Sequence, residues 1–308
     1  MRLQTNKDYR NPVPTERGGS EMVSQTTQLS VGGSTPALPL QFRLRGEPEL
    51  EIRELSLKEA ADFVAKHHYS KVMPKLNKVI FGLFQNNELV GTITFGWGVR
   101  PKSTVQCLFP SLDSKDYLEI GKLCLLDSQP KNTESRFITA AMLCLKQIKP
   151  DLKLVFTWAD ALWGMPGCIY QACNFLYGGY IQTEVYMDAE GRRIHPRQLR
   201  KKLMSMGEDA KSSEWLPKNG KSGVSRPKPF QMVKLGLKQV FGYQFRYIHF
   251  LCSKEEQDRL LSESTVAWNK DYPKTGDMKW KIRDGITKGP VACPQPKFSA
   301  AFDTEKEG

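Results

Sequence analysis

Long hydrophobic runs are missing from this 308-residue chain. No stretch approaches the roughly 18 consecutive apolar residues of a membrane-spanning helix, which argues against a helical membrane protein. The segment MRLQTNKDYRNPVPTERGGS has no apolar core of the secretory type, so the expected location is the cytoplasm. The seven cysteines are odd in number, form no CxxC pair and mostly stand among apolar neighbours. They read as reduced thiols, which excludes a disulfide framework and a structural zinc site. No segment repeats, so a solenoid or propeller is excluded as well.

What is present is a positive excess. Lys plus Arg number 45 against 33 Asp plus Glu, a net charge of +12 and a pI near 9.3, which favours partners carrying phosphates. The excess is local: residues 196–230 hold nine basic side chains, Arg197, Arg200, Lys201 and Lys202 among them, and three acidic ones. The same run also fits a solvated linker. With 40% hydrophobic residues the chain can bury a core of one large or two ordinary domains.

Residues 1–48 are rich in Ser, Thr, Gln, Gly and Pro without periodicity and read as an arm outside the fold. Order is expected from ELEIRELSLKEAADFVAKHHYS, a short strand followed by a helix opened by a Ser56/Glu59 capping box, with Leu57, Ala60 or Ala61 and Val64 facing inward. In KVIFGLFQNNELVGTITFG the Asn86-Asn87 pair predicts an antiparallel hairpin. YLEIGKLCLLD is a third strand, SQPKNTESRFITAAMLCLKQI a helix capped around Asn132, Thr133 and Ser135, and LKLVFTWAD a fourth, apolar strand. A strand–helix–strand passage of this kind predicts parallel pairing with a site at the carboxyl ends, where Asp160 lies.

After Asp160, GCIYQACNFLYGG reads as a short helix ending near Gly178-Gly179, YIQTEVYMDAEGRRIHP as a hairpin turning at 188–191, PRQLRKKLM as a basic helix, and QMVKLGLKQVFGYQFRYIHFLC as containing a closing strand. Residues 253–308 carry no motif and are expected to be an irregular tail or a small appendage. The folded unit is therefore placed at 49–252, with 196–230 as a basic insertion. Its fold class is mixed α/β, a mixed central sheet flanked by helices.

This order of elements is similar to the GNAT-type acyltransferase fold, an analogy that does not assign function. The words KHHYSKVMP, FGLFQNNELVGTITFG, LEIGKLCLLDSQPKNTESRFI, WADALWGMPGCIYQACNFLYGG and FRYIHFL occur in the order seen in the Mom family of bacteriophage Mu-type DNA-modifying proteins, and the chain resembles that family over about 50–251. The resemblance implies a divergent GNAT-fold transferase that converts adenine in double-stranded phage DNA to its N6-carbamoylmethyl form, shielding the DNA from restriction in the host cytoplasm. His68, Tyr69, Asp160 and Tyr170 match the family's functional positions. Lys122 stands where the family commonly has Arg, keeping the charge and losing the planar fork.

The resemblance also brings in a group donor, either a small molecule or carried on another molecule, and iron. Candidate holders of a metal are His68 and Asp160. Candidate donor contacts are Lys122 with Asn132, Thr133 and Ser135 at a helix N-terminus, which can bind an anion. Against an acetyl-coenzyme A-like donor stands the turn LDSQPKNTES, which has none of the glycine that cradles a pyrophosphate.

The chemistry needs a base, because adenine's exocyclic amine is a poor nucleophile and must lose a proton as the new bond forms. Asp160 fits that role and equally fits capping the following turn. His68 fits proton transfer or simple packing at a helix end. Gln171 and Asn174 carry amides that can read adenine bidentately or brace the backbone. Trp163 can wall the core or hold a base flipped from the stack. Two rival readings are an acyl-coenzyme A N-acyltransferase acting on a small amine or protein, and a DNA-binding accessory protein without catalysis.

Overall fold

The computed structural model describes residues 42–44, 50–68, 70–71, 73–98, 101–196, 198–199 and 227–299. Tyr69, Arg197, Arg200, Lys201 and Lys202, and with them most of the expected basic insertion, lie outside the described residues.

Strands β1 (Phe42–Leu44), β2 (Leu50–Glu54), β3 (Asn77–Gln85), β4 (Glu88–Gly96) and β5 (Tyr117–Leu125) form a consecutive antiparallel run within an 11-stranded sheet. Phe42–Leu44 thus belongs to the sheet, where it pairs with β2, and not to the arm. The expected hairpin forms between β3 and β4 because Asn86 and Asn87 both adopt positive φ, 50° and 67°, which their short polar side chains tolerate. Helix α1 (Leu57–His67) carries the expected capping box, Ser56 and Glu59 each satisfying the other's backbone N–H. Its inward face is Ala60, Phe63 and Val64. Leu57, expected inside, is 56% exposed, and Phe63 is buried beside Val64 and Cys124.

After a one-turn helix α2 (Pro101–Thr104) and β5, helix α3 (Thr133–Ile148) lays Phe137, Ala141, Cys144 and Leu145 into the main core and returns the chain to β6 (Leu154–Asp160). The β5–β6 pairing is parallel, as a crossover helix requires. A 3-10 turn (Ala161–Trp163) and the short helix α4 (Cys168–Ala172) then lead into β7 (Leu176–Met187). Gly178 and Gly179 do not end a helix. They lie in a register shift of β7, and a Cβ at Gly178 would fall 2.1 Å from the Trp268 ring, so glycine lets an indole pack on the strand backbone. The expected hairpin continues into β8 (Arg193–Ile194), its turn closed by Gly191 at φ 79° donating to the Asp188 carbonyl.

Helix α5 (Pro229–Lys234) precedes the closing strand β9 (Lys238–Phe250), which pairs with β7 along one edge and with β6 along the other. The segment 253–299 is not an irregular tail. It contains helix α6 (Lys254–Glu263) and strands β10 (Trp280–Arg283) and β11 (Val291–Cys293). β10 takes the length of β9 beyond the end of β6, its Lys281 opposite Phe241 while Asp160 pairs with Gln244. The carboxyl end of β6 is therefore fenced by the C-terminal segment, with the Trp280 indole N–H donating to the Ala161 carbonyl at 2.9 Å. No helix among the described residues is long and apolar enough to cross a membrane.

Candidate active site

The parallel pair β5–β6 has three register partners, Tyr117↔Leu154, Leu118↔Val155 and Glu119↔Phe156. Beyond these each strand follows its other neighbour: β5 stays with β4 as far as Leu125, and β6 with β9 as far as Asp160. The two diverge and open a wedge. A bulge in β5 at Gly121, between the partners of Phe95 and Thr94, bends its arm. A Cβ on Gly121 would lie 2.8 Å from the Pro74 ring, so the loop after α1 packs onto this arm.

Thr157 ties the apex by donating to the Ile120 carbonyl at 3.4 Å. Its side chain also hydrogen-bonds Tyr170, which α4 points inward; the Tyr170 ring packs 5.6 Å from Phe175 and 5.7 Å from Tyr247 between centroids. Burial pushes the Tyr170 hydroxyl up from its ordinary value, so it stays protonated at neutral pH.

Lys122 and Asp160 mark the two arms, and a residue that the sequence did not single out links them. Arg193 on β8 donates to Asp160 Oδ2 at 3.2 Å, with the two side chains 13% and 17% exposed. Its charge also acts on Lys122. Burial lowers the Lys122 amine to about 8, and the nearby Arg193 pushes the same way while Cys124 opposes it. Lys122 donates to the Ser70 carbonyl at 2.9 Å. His68 joins from the end of α1: its Nδ1 accepts from the Ser70 N–H at 2.9 Å. Burial, and then the charge of Lys122, lower the imidazole to about 4, so it is neutral at pH 7.

Asp160 caps the 3-10 turn, Oδ1 accepting from Leu162 N–H at 3.1 Å, while Oδ2 takes the Arg193 ion pair. Burial raises its carboxyl, a shift that Arg193 and the Leu162 N–H offset in part. Trp163 forms the wall at this end, its ring 5.7 Å from the Arg193 guanidinium and 5.0 Å from Phe298.

Glu119 at the apex is the second residue missed. Burial alone raises its carboxyl to about 7, with no hydrogen bond or neighbouring charge contributing among the described residues. It lies close enough to Tyr170 to act on it electrostatically. Gly98, at φ 67°, brings its backbone against the carboxylate, where a Cβ would fall 2.0 Å from Glu119 Oε2. The sequence did carry a signal, since in YLEIGKL a carboxylate interrupts a strand expected to be central.

Other candidates are not brought into the wedge. Gln171 directs its amide N–H at the Pro166 carbonyl, the Tyr247 hydroxyl and the Pro273 carbonyl, at 3.2, 3.0 and 3.3 Å, and so braces three segments. Asn174 is an exposed turn residue at φ 58° whose amide oxygen accepts from Lys270. At the start of α3, Asn132 has φ 72° and makes no side-chain cap. Thr133 and Ser135 spend their hydroxyls on the Pro130 and Asn132 carbonyls, at 2.7 and 3.0 Å, and the turn offers no glycine cradle to a pyrophosphate.

The residues do not fit an iron ion. The His68 ring is engaged with the Ser70 and Leu123 backbone and Asp160 is paired with Arg193. Among the described residues no three His, Cys, Asp or Glu side chains gather as a metal site.

Residues 49–274 match the sequence model of the Mom protein family. The chain is 30% identical over 150 residues to the methylcarbamoylase mom of Escherichia phage Mu, a match that covers 49% of this chain and 61% of that protein, less than two thirds of its length. A solved acetyltransferase of Bacillus subtilis in complex with CoA aligns with 66% of this chain and 98% of its own at 12% identity and a TM-score of 0.32, a likeness too low to carry an argument.

Two outcomes test this geometry. Removing one partner of a buried ion pair strands the other charge, at about 3 kcal/mol. Arg193→Met should therefore lose on that order in denaturant unfolding, while the double variant with Asp160→Asn should lose at least ~1 kcal/mol less than the two single losses summed. Strict additivity would place the two residues apart. For Glu119 the folded pKa of about 7 lies above its ordinary 4.5, so its contribution is present below pH 4.5 and lost as pH rises through 7. The stability of the native protein relative to a Glu119→Gln variant should fall by on the order of 2 kcal/mol across that window, partial solvation allowed for. Parallel pH profiles would refute the buried, unpaired carboxyl.

Proposed function

The chain belongs to the Mom protein family, and on that premise we propose that it is a DNA-modifying transferase that places a carbamoylmethyl group on the exocyclic amine of adenine in double-stranded DNA. The observation that carries this reading is the family match over 49–274, which includes every residue of the wedge. Support also comes from the relative named a methylcarbamoylase and from the net charge of +12, which suits a polyanionic substrate.

In this reading the wedge receives the adenine amine and the electrophilic carbon of the donor. Adenine's lone pair is delocalised into the ring, so the amine needs its proton taken as the bond forms. Glu119 suits that step, because a carboxyl poised at about 7 is partly ionised at neutral pH and basic enough to accept a proton. Asp160, held by Arg193 and Leu162 N–H, serves to orient Arg193. Lys122 and Arg193 then place positive charge where a departing group carries electrons away. His68, neutral, fixes the Ser70 loop against Lys122. Tyr170 presents its protonated hydroxyl at the apex beside Thr157. Reaching a paired base requires flipping it from the stack, and Trp163 stands at the wedge's end to receive its face. Phosphate contacts by Arg197, Arg200, Lys201 and Lys202 would add salt-dependent, sequence-tolerant affinity. Protection of phage DNA from restriction in the host cytoplasm follows as the biological role.

The test is mass spectrometry of nucleosides from the DNA of cells expressing the protein. A deoxyadenosine heavier by one carbamoylmethyl group is expected with the native chain. Glu119→Gln should lower its yield at least ~100-fold, the contribution of a general base, and Asp160→Asn should lower it less. Unmodified DNA in well-expressing cells contradicts the transfer reading, and an undiminished Glu119→Gln yield removes Glu119 from proton transfer.

A further inference from the structure

Arg246, in the word FRYIHFL, sits in the middle of β9 opposite Trp158 of β6. It is 3% exposed. One guanidinium nitrogen, Nη2, reaches the Tyr180 carbonyl at 3.4 Å, while Nε and Nη1 are enclosed and have no hydrogen-bond partner among the described residues. Each of the two donor forks, Nε with Nη2 and Nη1 with Nη2, therefore keeps an unfilled place. No carboxylate pairs with Arg246 among the described residues. The titratable groups acting on it are the Cys107 thiol and the Tyr177 phenol, both pushed up by burial, Tyr177 to about 12, and hence neutral at pH 7. The Trp158 ring lies 5.9 Å from the guanidinium carbon, at the outer limit of a cation–π contact.

An arginine cannot shed its proton to relieve burial, and an unpaired buried cation is costly to the fold. An anion reaching the guanidinium would offset that cost. Trp158, directly opposite Arg246, and Cys107, in the same cluster as Trp158, are both partly exposed. Trp158 stands two residues before Asp160, which sets Arg246 beside the wedge.

We propose that Arg246, floored by Trp158, is the receptor for a carboxylate or phosphate group of the small-molecule donor. The depth of Arg246 suits a small ligand and not the backbone of a duplex, whose phosphates stay at the protein surface. Assignment to the donor rests on the transfer reading; anion binding does not.

Isothermal titration of the full-length protein with sodium phosphate and with sodium acetate, at ionic strength fixed with chloride, separates the two chemistries. One of them should bind with unit stoichiometry. Arg246→Met should bind it at least ~10-fold more weakly, the loss of a charge-assisted hydrogen bond, while melting no lower than the native chain, because a buried unpaired charge has been removed. Arg246→Lys, which keeps the charge and loses the fork, should also weaken binding and guards against misfolding of the first variant. Binding of neither anion to the native protein, or equal affinity in both variants, overturns the site. Displacement of the anion by a DNA duplex overturns its assignment to the donor. If DNA modification fails while anion affinity still depends on Arg246, the site stands and the transfer reading falls.

Discussion

The parting of β5 and β6 after Glu119 and Phe156 is the constraint on which the site depends. Two parallel strands that stayed paired would spend their backbone donors and acceptors on each other and leave no opening. Here each arm keeps its outer ladder, β5 on β4 and β6 on β9. The inner edges of both arms therefore face the wedge, and side chains rather than ladder bonds span it. Thr157 ties the apex and Tyr170 plugs one side. Arg193, brought in by the β7–β8 hairpin, couples Asp160 on one arm with Lys122 on the other.

This arrangement sorts the charged groups by role. Asp160 has a cation and a backbone N–H to answer, which makes it an anchor. Glu119 has neither, and its carboxyl rises to about 7 through burial alone. Lys122 is accompanied by a second cation, the guanidinium of Arg193, whose charge acts on it. The C-terminal segment completes the enclosure, with β10 in line beyond β6, the Trp280 indole on Ala161 and Phe298 on Trp163.

Much of the fold was legible because its signals are local. The Ser56/Glu59 box, the Asn86-Asn87 turn and the apolar face of α3 each lie within one turn or one hairpin of sequence. The departures have physical causes. Gly178-Gly179 reads as a helix stop, yet the pair is a strand bulge that exists for the Trp268 ring, a partner distant in sequence. β10 and β11 span four and three residues, too short for alternation to show. Asp160, His68 and Lys122 draw attention in the sequence, whereas the Arg193 ion pair with Asp160 does not, because arginine beside a turn reads as solvated surface. Gln171 illustrates the reverse: an amide beside a site tyrosine invites a reading as a base contact, and its three acceptors make it a brace.

In the proposed reaction the adenine enters between the β5 and β6 arms. A DNA duplex carrying one photoreactive adenine, cross-linked to the full-length protein and mapped by peptide mass spectrometry, tests it most directly. The account predicts attachment within 117–125 or 157–170, lost when excess unlabelled duplex competes. Attachment confined to residues outside the wedge would contradict it.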